Sequence, residues 1–125
     1  MPPRALVVDD YDDAREMYAE FLCFKGFEVV QAQNGLQAVA LAQSLLPDLI
    51  VLDLALPDID GIEVTRRLKM SPATAGIPIV MLTANAQSKM LDDARKAGCA
   101  AVLVKPCTPD ELLEVASGFA QVRTG

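Results

Sequence analysis

The chain has 125 residues, 52% of them apolar, which suits one packed domain, and no apolar run is long enough to span a bilayer. Seventeen acids against eleven bases leave a formal net charge of −6, which disfavours direct binding to nucleic acid through its phosphates. Histidine is absent, excluding Ser-His-Asp and Cys-His catalysis, histidine metal ligands and a phosphohistidine carrier, and Cys23, Cys99 and Cys107 lack the C-x-x-C spacing of a zinc site.

The first residues, Met1-Pro2-Pro3-Arg4, have no apolar core of a signal peptide, so the expected location is cytoplasmic, with no membrane contact. The apolar run 5–8 predicts a first strand, closed by Asp9-Asp10. A helix follows, with Ala14, Met17, Tyr18, Phe21 and Leu22 as its buried stripe, Asp13 and Glu16 spaced as a capping box at its start, and Gly26 at its end. Residues 27–30 predict a second strand and 35–46 a second helix, stopped by Pro47. The third strand, 49–52, runs into Asp53, and the third helix, from Ile62, stops before Ser71-Pro72. The fourth strand, 79–82, is followed by Thr83, and a helix over 88–97 ends at Gly98. The fifth strand, 101–104, leads into Lys105-Pro106. The last helix has Thr108 as N-cap, Pro109 at its first position, Glu111 three residues past the cap, and Leu112, Val115, Ala116, Phe119 and Ala120 on one stripe.

Five β–α units in strict alternation predict an α/β fold over residues 1–125 as a single domain, a doubly wound five-stranded parallel sheet with helices on both faces. Near-continuous apolar strands fit burial on both faces. Ligands of such sheets bind beyond the carboxyl ends of the strands, near the point where the strand order reverses. Under the order 2-1-3-4-5, strands 1, 3, 4 and 5 lie about 4.8 Å apart, and Asp9, Asp10, Asp53, Thr83 and Lys105 share one rim. Two like charges 4 Å apart repel by about 1 kcal/mol in water and about 4 kcal/mol at an effective dielectric of 20, so three carboxylates there call for compensation. Lys105 offsets one charge. A divalent cation is the natural remedy, and a few carboxylates with retained waters suit magnesium. Acids at strand ends also serve as plain helix caps, a reading that fits Asp12 and Asp13 better than the five residues that each close an apolar strand. Carboxylate, lysine and hydroxyl beside magnesium suit phosphoryl transfer, with Asp53 as nucleophile. No glycine-rich nucleotide loop is present.

Val7-Val8-Asp9-Asp10, the segment from Leu52-Asp53 to Asp60-Gly61, Pro78 to Ala84, and Gly98-Cys99-Ala100 leading to Val104-Lys105-Pro106 together resemble the receiver domains of two-component response regulators. The resemblance implies a flavodoxin-like fold and an Asp53 that accepts a phosphoryl group from a phosphohistidine on a histidine kinase or histidine phosphotransfer protein. It implies magnesium, or manganese in its place, ligated by Asp10, Asp53 and the Ala55 backbone carbonyl, with Asp9 acting largely through water. It also implies that Thr83 turns onto a phosphoryl oxygen and Lys105 pairs with another, that a cis bond precedes Pro106, and that Ala84, Val102 and Pro106 lie on the switching side of the site. The output is then a downstream protein target or a fused output domain.

Four positions stand out against this pattern. Val102 stands where receivers commonly carry an aromatic ring that reports the switch, and Cys107 where phenylalanine is frequent. Ala55 and Asn85 occupy positions that tune dephosphorylation, and alanine offers no polar side chain to place a hydrolytic water. Cys107 reads either as a small loop residue or as a redox-sensitive thiol near a lysine. An alternative is a magnesium-dependent phosphatase resembling the haloacid dehalogenases, which use a second aspartate two residues after the nucleophile; Ala55 is there instead. A flavin carrier of the same fold is disfavoured because Asp9-Asp10-Tyr11-Asp12-Asp13 repels phosphate.

Overall fold

The computed structural model describes residues 2–119, so the ends of the 1–125 domain and Ala120 of the last predicted stripe lie outside the described residues. Strand and helix alternate throughout: β1 (Arg4–Val8), α1 (Asp12–Phe24), β2 (Glu28–Ala32), α2 (Gly35–Leu45), β3 (Leu49–Asp53), α3 (Gly61–Met70), β4 (Ile79–Thr83), α4 (Ser88–Ala97), β5 (Ala101–Val104) and α5 (Pro109–Ala116). All strand pairs are parallel and the order is β2-β1-β3-β4-β5, as the sequence predicts. No helix among the described residues is long and apolar enough to cross a membrane.

The two-residue period of the strands divides the core into two layers. Leu6, Val8, Ile50, Leu52, Ile79 and Met81 face α2, α3 and α4, packing on Ala38, Ala42, Val64, Leu68 and Ala94. Ala5, Val7, Leu49, Val51, Val80 and Leu82 face the opposite way, onto Tyr18 and Leu22 of α1 and Leu112 and Ala116 of α5. β3 and β4 are buried along their whole length, whereas β5, apolar though it is, is only half-buried because it is an edge strand.

Several boundaries differ from the sequence prediction for local reasons. β2 starts at Glu28, because the Phe27 amide is still occupied with closing α1 on the Leu22 carbonyl (3.0 Å). The Asp13–Glu16 capping box does not form. Tyr11 takes the N-cap position without a side-chain cap, its amide donating to Asp9 Oδ1 (2.9 Å), and Asp12 and Asp13 sit in the first turn, where negative charge is favoured. The buried face of α1 is Arg15, Tyr18, Ala19 and Leu22, and Met17 is turned to the surface. At the other end of the chain, α5 begins with the predicted capping box of Thr108 and Glu111 but stops at Ala116, leaving Phe119 46% exposed.

The loop after β3 is tied to α2 by Asp58. Its two carboxylate oxygens accept from the amides of Gly35 (2.8 Å) and Leu36 (2.9 Å) at the start of that helix. Slight desolvation works the other way, but these donated N–H bonds prevail and hold the Asp58 carboxyl below its usual range. A depressed folded pKa contributes stability that is present above the unfolded value of about 4 and lost as pH falls through the folded value. Asp58→Ala is therefore expected to melt several degrees below the native chain at pH 7, with the gap closing in strong acid. A gap that persists unchanged at acid pH in thermal melts followed by circular dichroism contradicts this origin.

Candidate functional site

Parallel registry brings the carboxyl ends of four strands level. Asp53 is the last residue of β3, paired with Leu82, and Thr83 is the last of β4, paired with Val104. The ladder continues one step further: Leu54 donates its amide to Leu82 O (2.9 Å) and Lys105 to Thr83 O (2.8 Å). Asp9, immediately after β1, donates to Ala32 O (3.2 Å). Behind Asp53, α3 begins so close to the strand end that a Cβ on Gly61 would lie 2.8 Å from the Asp53 carbonyl oxygen. Only glycine lets the helix start there.

On this rim the side-chain oxygens of Asp9, Asp10 and Asp53 lie within 4.8 Å of one another. Asp9 and Asp53 are buried, while Asp10 is exposed. Lys105 Nζ lies 3.4 Å from Asp9 Oδ2 and 3.2 Å from Asp53 Oδ1. Burial, with Asp9 and Asp10 adding to it, pushes the Asp53 carboxyl above its usual range against the pull of Lys105. Burial pulls Lys105 down, yet the Asp53 and Asp9 carboxylates outweigh it and hold the ammonium above its ordinary pKa. One ammonium against three carboxylates leaves the cluster short of positive charge. An all-oxygen donor set of this size fits a hard divalent cation, so the cluster is able to bind a metal.

The remaining predicted residues sit on β4, on β5 and in the loops that follow β3, β4 and β5. Thr83 is buried with its hydroxyl accepting from the Asn85 amide (2.9 Å), turned into its own loop. Ala55 is exposed in the loop two residues past Asp53, and Ala84 is exposed beside Thr83. Val102 is half-buried opposite Met81 and packs on the α2–α4 layer. Lys105–Pro106 is a cis peptide, and Pro106 is exposed. Cys107 is buried and packs in the layer with α1 and α5, and burial, then Glu111, pushes its thiol pKa up, which favours the small packed side chain of the two readings.

Two supporting residues escaped the sequence reading. Arg15, a charged residue off the predicted apolar stripe of α1, is 5% exposed and bonded to Asp9 O, Gln31 and Asp12. Tyr18, assigned to the apolar stripe, donates its hydroxyl to Cys107 O (2.8 Å). The i, i+3 spacing of Asp12 and Arg15 was the one sequence signal available.

The chain matches the family model described as the response regulator receiver domain over residues 5–117. It belongs to that family. It is 40% identical over 115 residues to the chemotaxis protein CheY of Bacillus subtilis, covering 91% of this chain and 94% of that protein. It is 42% identical over 108 residues to the phosphate regulon transcriptional regulatory protein PhoB of Pseudomonas aeruginosa, covering 86% of this chain but 47% of that protein, so it spans about half the length of that relative. Among solved structures, a chemotaxis response regulator of Vibrio cholerae superposes with a TM-score of 0.90 at 30% identity, covering 95% of this chain and 99% of that one. The protein is thus a receiver domain of two-component signalling, and its acidic cluster fits the phosphoacceptor site of such a domain.

The raised pKa of Asp53 has a consequence for stability. The fold holds this proton more tightly than the unfolded chain, so stability falls as pH rises from the ordinary carboxylate range through the Asp53 value. In divalent-free buffer at neutral pH, Asp53→Asn is expected to raise stability by about 1 kcal/mol, or about 3–5 °C in Tm. An unchanged or lower melting temperature contradicts it.

Proposed function

We propose that Asp53 accepts a phosphoryl group and that this switches a protein-binding surface. The observation that carries the reading is the convergence of Asp9, Asp10, Asp53 and Lys105 at level strand ends. The carboxylate oxygen of Asp53 forms a bond to phosphorus as the bond from phosphorus to the donor breaks, and the leaving group departs with the electron pair. β3, buried along its length, holds this nucleophile still. Lys105, already 3.2 Å from Asp53 Oδ1, is placed to pair with an oxygen of the incoming group. Thr83, released from the Asn85 amide, turns its hydroxyl toward another.

Asp10, Asp53 and the Ala55 carbonyl would hold magnesium, or manganese, with Asp9 contributing largely through water. When bound, the ion neutralises charge on the oxygens of the transferring group. Because the chain has no histidine, a phosphohistidine donor comes from a partner, a histidine kinase or histidine phosphotransfer protein. Residues 1–125 act as one receiver unit in the cytoplasm, passing the signal to a downstream protein or to a fused output domain. It catalyses only its own phosphorylation and dephosphorylation.

Incubation with acetyl phosphate and magnesium is expected to add the mass of one phosphoryl group to the intact chain, and Asp53→Asn to abolish the gain. No gain with either acetyl phosphate or a phosphorylated histidine kinase, or a full gain in Asp53→Asn, contradicts the reading. Ala55 offers no polar side chain for a hydrolytic water, so Ala55→Asn is expected to shorten the lifetime of the phosphorylated state. Equal decay rates would sink this.

A further inference from the structure

Two polar side chains on the buried face of α1, one turn apart, reach the two loops that carry the site. Tyr18 is 4% exposed and packed in the layer formed with α5, where a phenylalanine would bury the same ring without needing a partner for a hydroxyl. Its hydroxyl instead donates to the Cys107 carbonyl at 2.8 Å, two residues beyond Lys105. That loop is otherwise fixed at its ends, by Lys105 N to Thr83 O (2.8 Å) and by the Thr108 cap of α5, and the proline between has no N–H to offer. Lys105, Asp9 and Asp53 all lie near enough to bias the phenol, which burial first of all pushes above its usual pKa.

Arg15 does the corresponding thing on the other side. Nη1 donates to the Asp9 carbonyl (3.1 Å), Nη2 pairs with Asp12 Oδ1 (2.8 Å), and Nε donates to Gln31 Oε1 on β2 (2.9 Å). These contacts hold both ends of the segment that contains Asp10. A buried guanidinium is costly unless its donors are satisfied, and here the planar fork fits three acceptors that a lysine cannot reach together.

We propose that α1 braces the site, with Tyr18 as the positioning residue for the loop that delivers Lys105 and Arg15 as the positioning residue for the loop that delivers Asp9 and Asp10. Neither touches the reacting atoms. The inference rests on the phosphoacceptor reading of Asp53 for its Tyr18 half, while its Arg15 half is read from metal binding alone.

The test uses the full chain, with Mg²⁺ alone titrated by calorimetry and acetyl phosphate labelling followed by intact mass. Tyr18→Phe keeps the ring and is expected to leave Mg²⁺ affinity within about twofold while slowing phosphorylation about tenfold at saturating Mg²⁺. In a Lys105→Ala background the same substitution is expected to change the remaining rate by less than about twofold, because a residue acting through Lys105 has nothing left to act on. Arg15→Lys is expected to weaken Mg²⁺ binding about tenfold, and Gln31→Ala, which frees only the Nε end, to weaken it in the same direction. A native rate in Tyr18→Phe, or an equal loss with and without Lys105, overturns the first half. Unchanged Mg²⁺ affinity in Arg15→Lys and Gln31→Ala, with circular dichroism showing both folded, overturns the second. A native chain that takes up no phosphoryl group points instead to failure of the Asp53 reading, which leaves the Mg²⁺ comparison standing.

Discussion

Three carboxylates held within 4.8 Å of one another against a single nearby ammonium are the constraint around which the molecule is built. Lys105 offsets only part of the cost of this arrangement: at an effective dielectric of 20 a like-charged pair at 4 Å repels by about 4 kcal/mol, and burial of Asp9 and Asp53 adds to it. The acids stay together because each is attached to a strand whose position is fixed by something stronger. β1, β3 and β4 bury nearly every side chain, and each fully buried aliphatic contributes about 1.5–3 kcal/mol. Registry then fixes where the chain leaves the sheet, and the acids have no freedom to separate.

Such an assembly stores sensitivity to charge. Any species that supplies positive charge at the rim, or that alters the charge of Asp53, acts on a site whose carboxylates repel one another. The supporting contacts around the rim are consistent with this. Gly61 lets α3 begin against the Asp53 backbone, Asp58 fastens the loop after β3 to α2, and Arg15 and Tyr18 fasten the loops on either side of it. The backbone is thereby held while the charges remain under tension, an arrangement in which function is kept at the expense of stability.

The sequence disclosed most of this through the position of polar residues relative to apolar runs. Asp53, Thr83 and Lys105 were legible because each ends a run that has no other interruption, and strict alternation with helical segments restricts the topology to very few choices. Less legible was anything decided by long-range polar contact. Arg15 counts as a surface residue on any hydropathy pattern, and its burial depends on Gln31 and the Asp9 carbonyl, which come from other elements. The buried face of α1 thus includes Arg15 with Tyr18, Ala19 and Leu22, and Met17 is exposed in spite of its place on the apolar stripe. Tyr18 was placed in the core correctly, but nothing in its spacing indicates an acceptor 89 residues away. The apolar run of β5 suggests burial on both faces because hydropathy reports apolar character alone, while its half-exposure follows from its place at the end of the order.

The absence of an aromatic ring at Val102 narrows how a change at Asp53 spreads. Val102 is β-branched, half-buried and packed between Met81 and the α2–α4 layer, with a single χ angle and no bulk to swing between inside and outside. Backbone amide hydrogen bonds connect the site to α4 independently of that residue. Thr83 accepts the Asn85 amide, and Asn85 in turn accepts the Gln87 amide on its side chain, directly before α4 starts at Ser88. If the Thr83 hydroxyl turns toward a phosphoryl oxygen, the Asn85 amide loses its acceptor and the segment 84–87 must rearrange to satisfy it. Two hydrogen bonds of 2.9 Å thus link the Thr83 hydroxyl to the residue that precedes α4, a connection that involves no side chain at position 102.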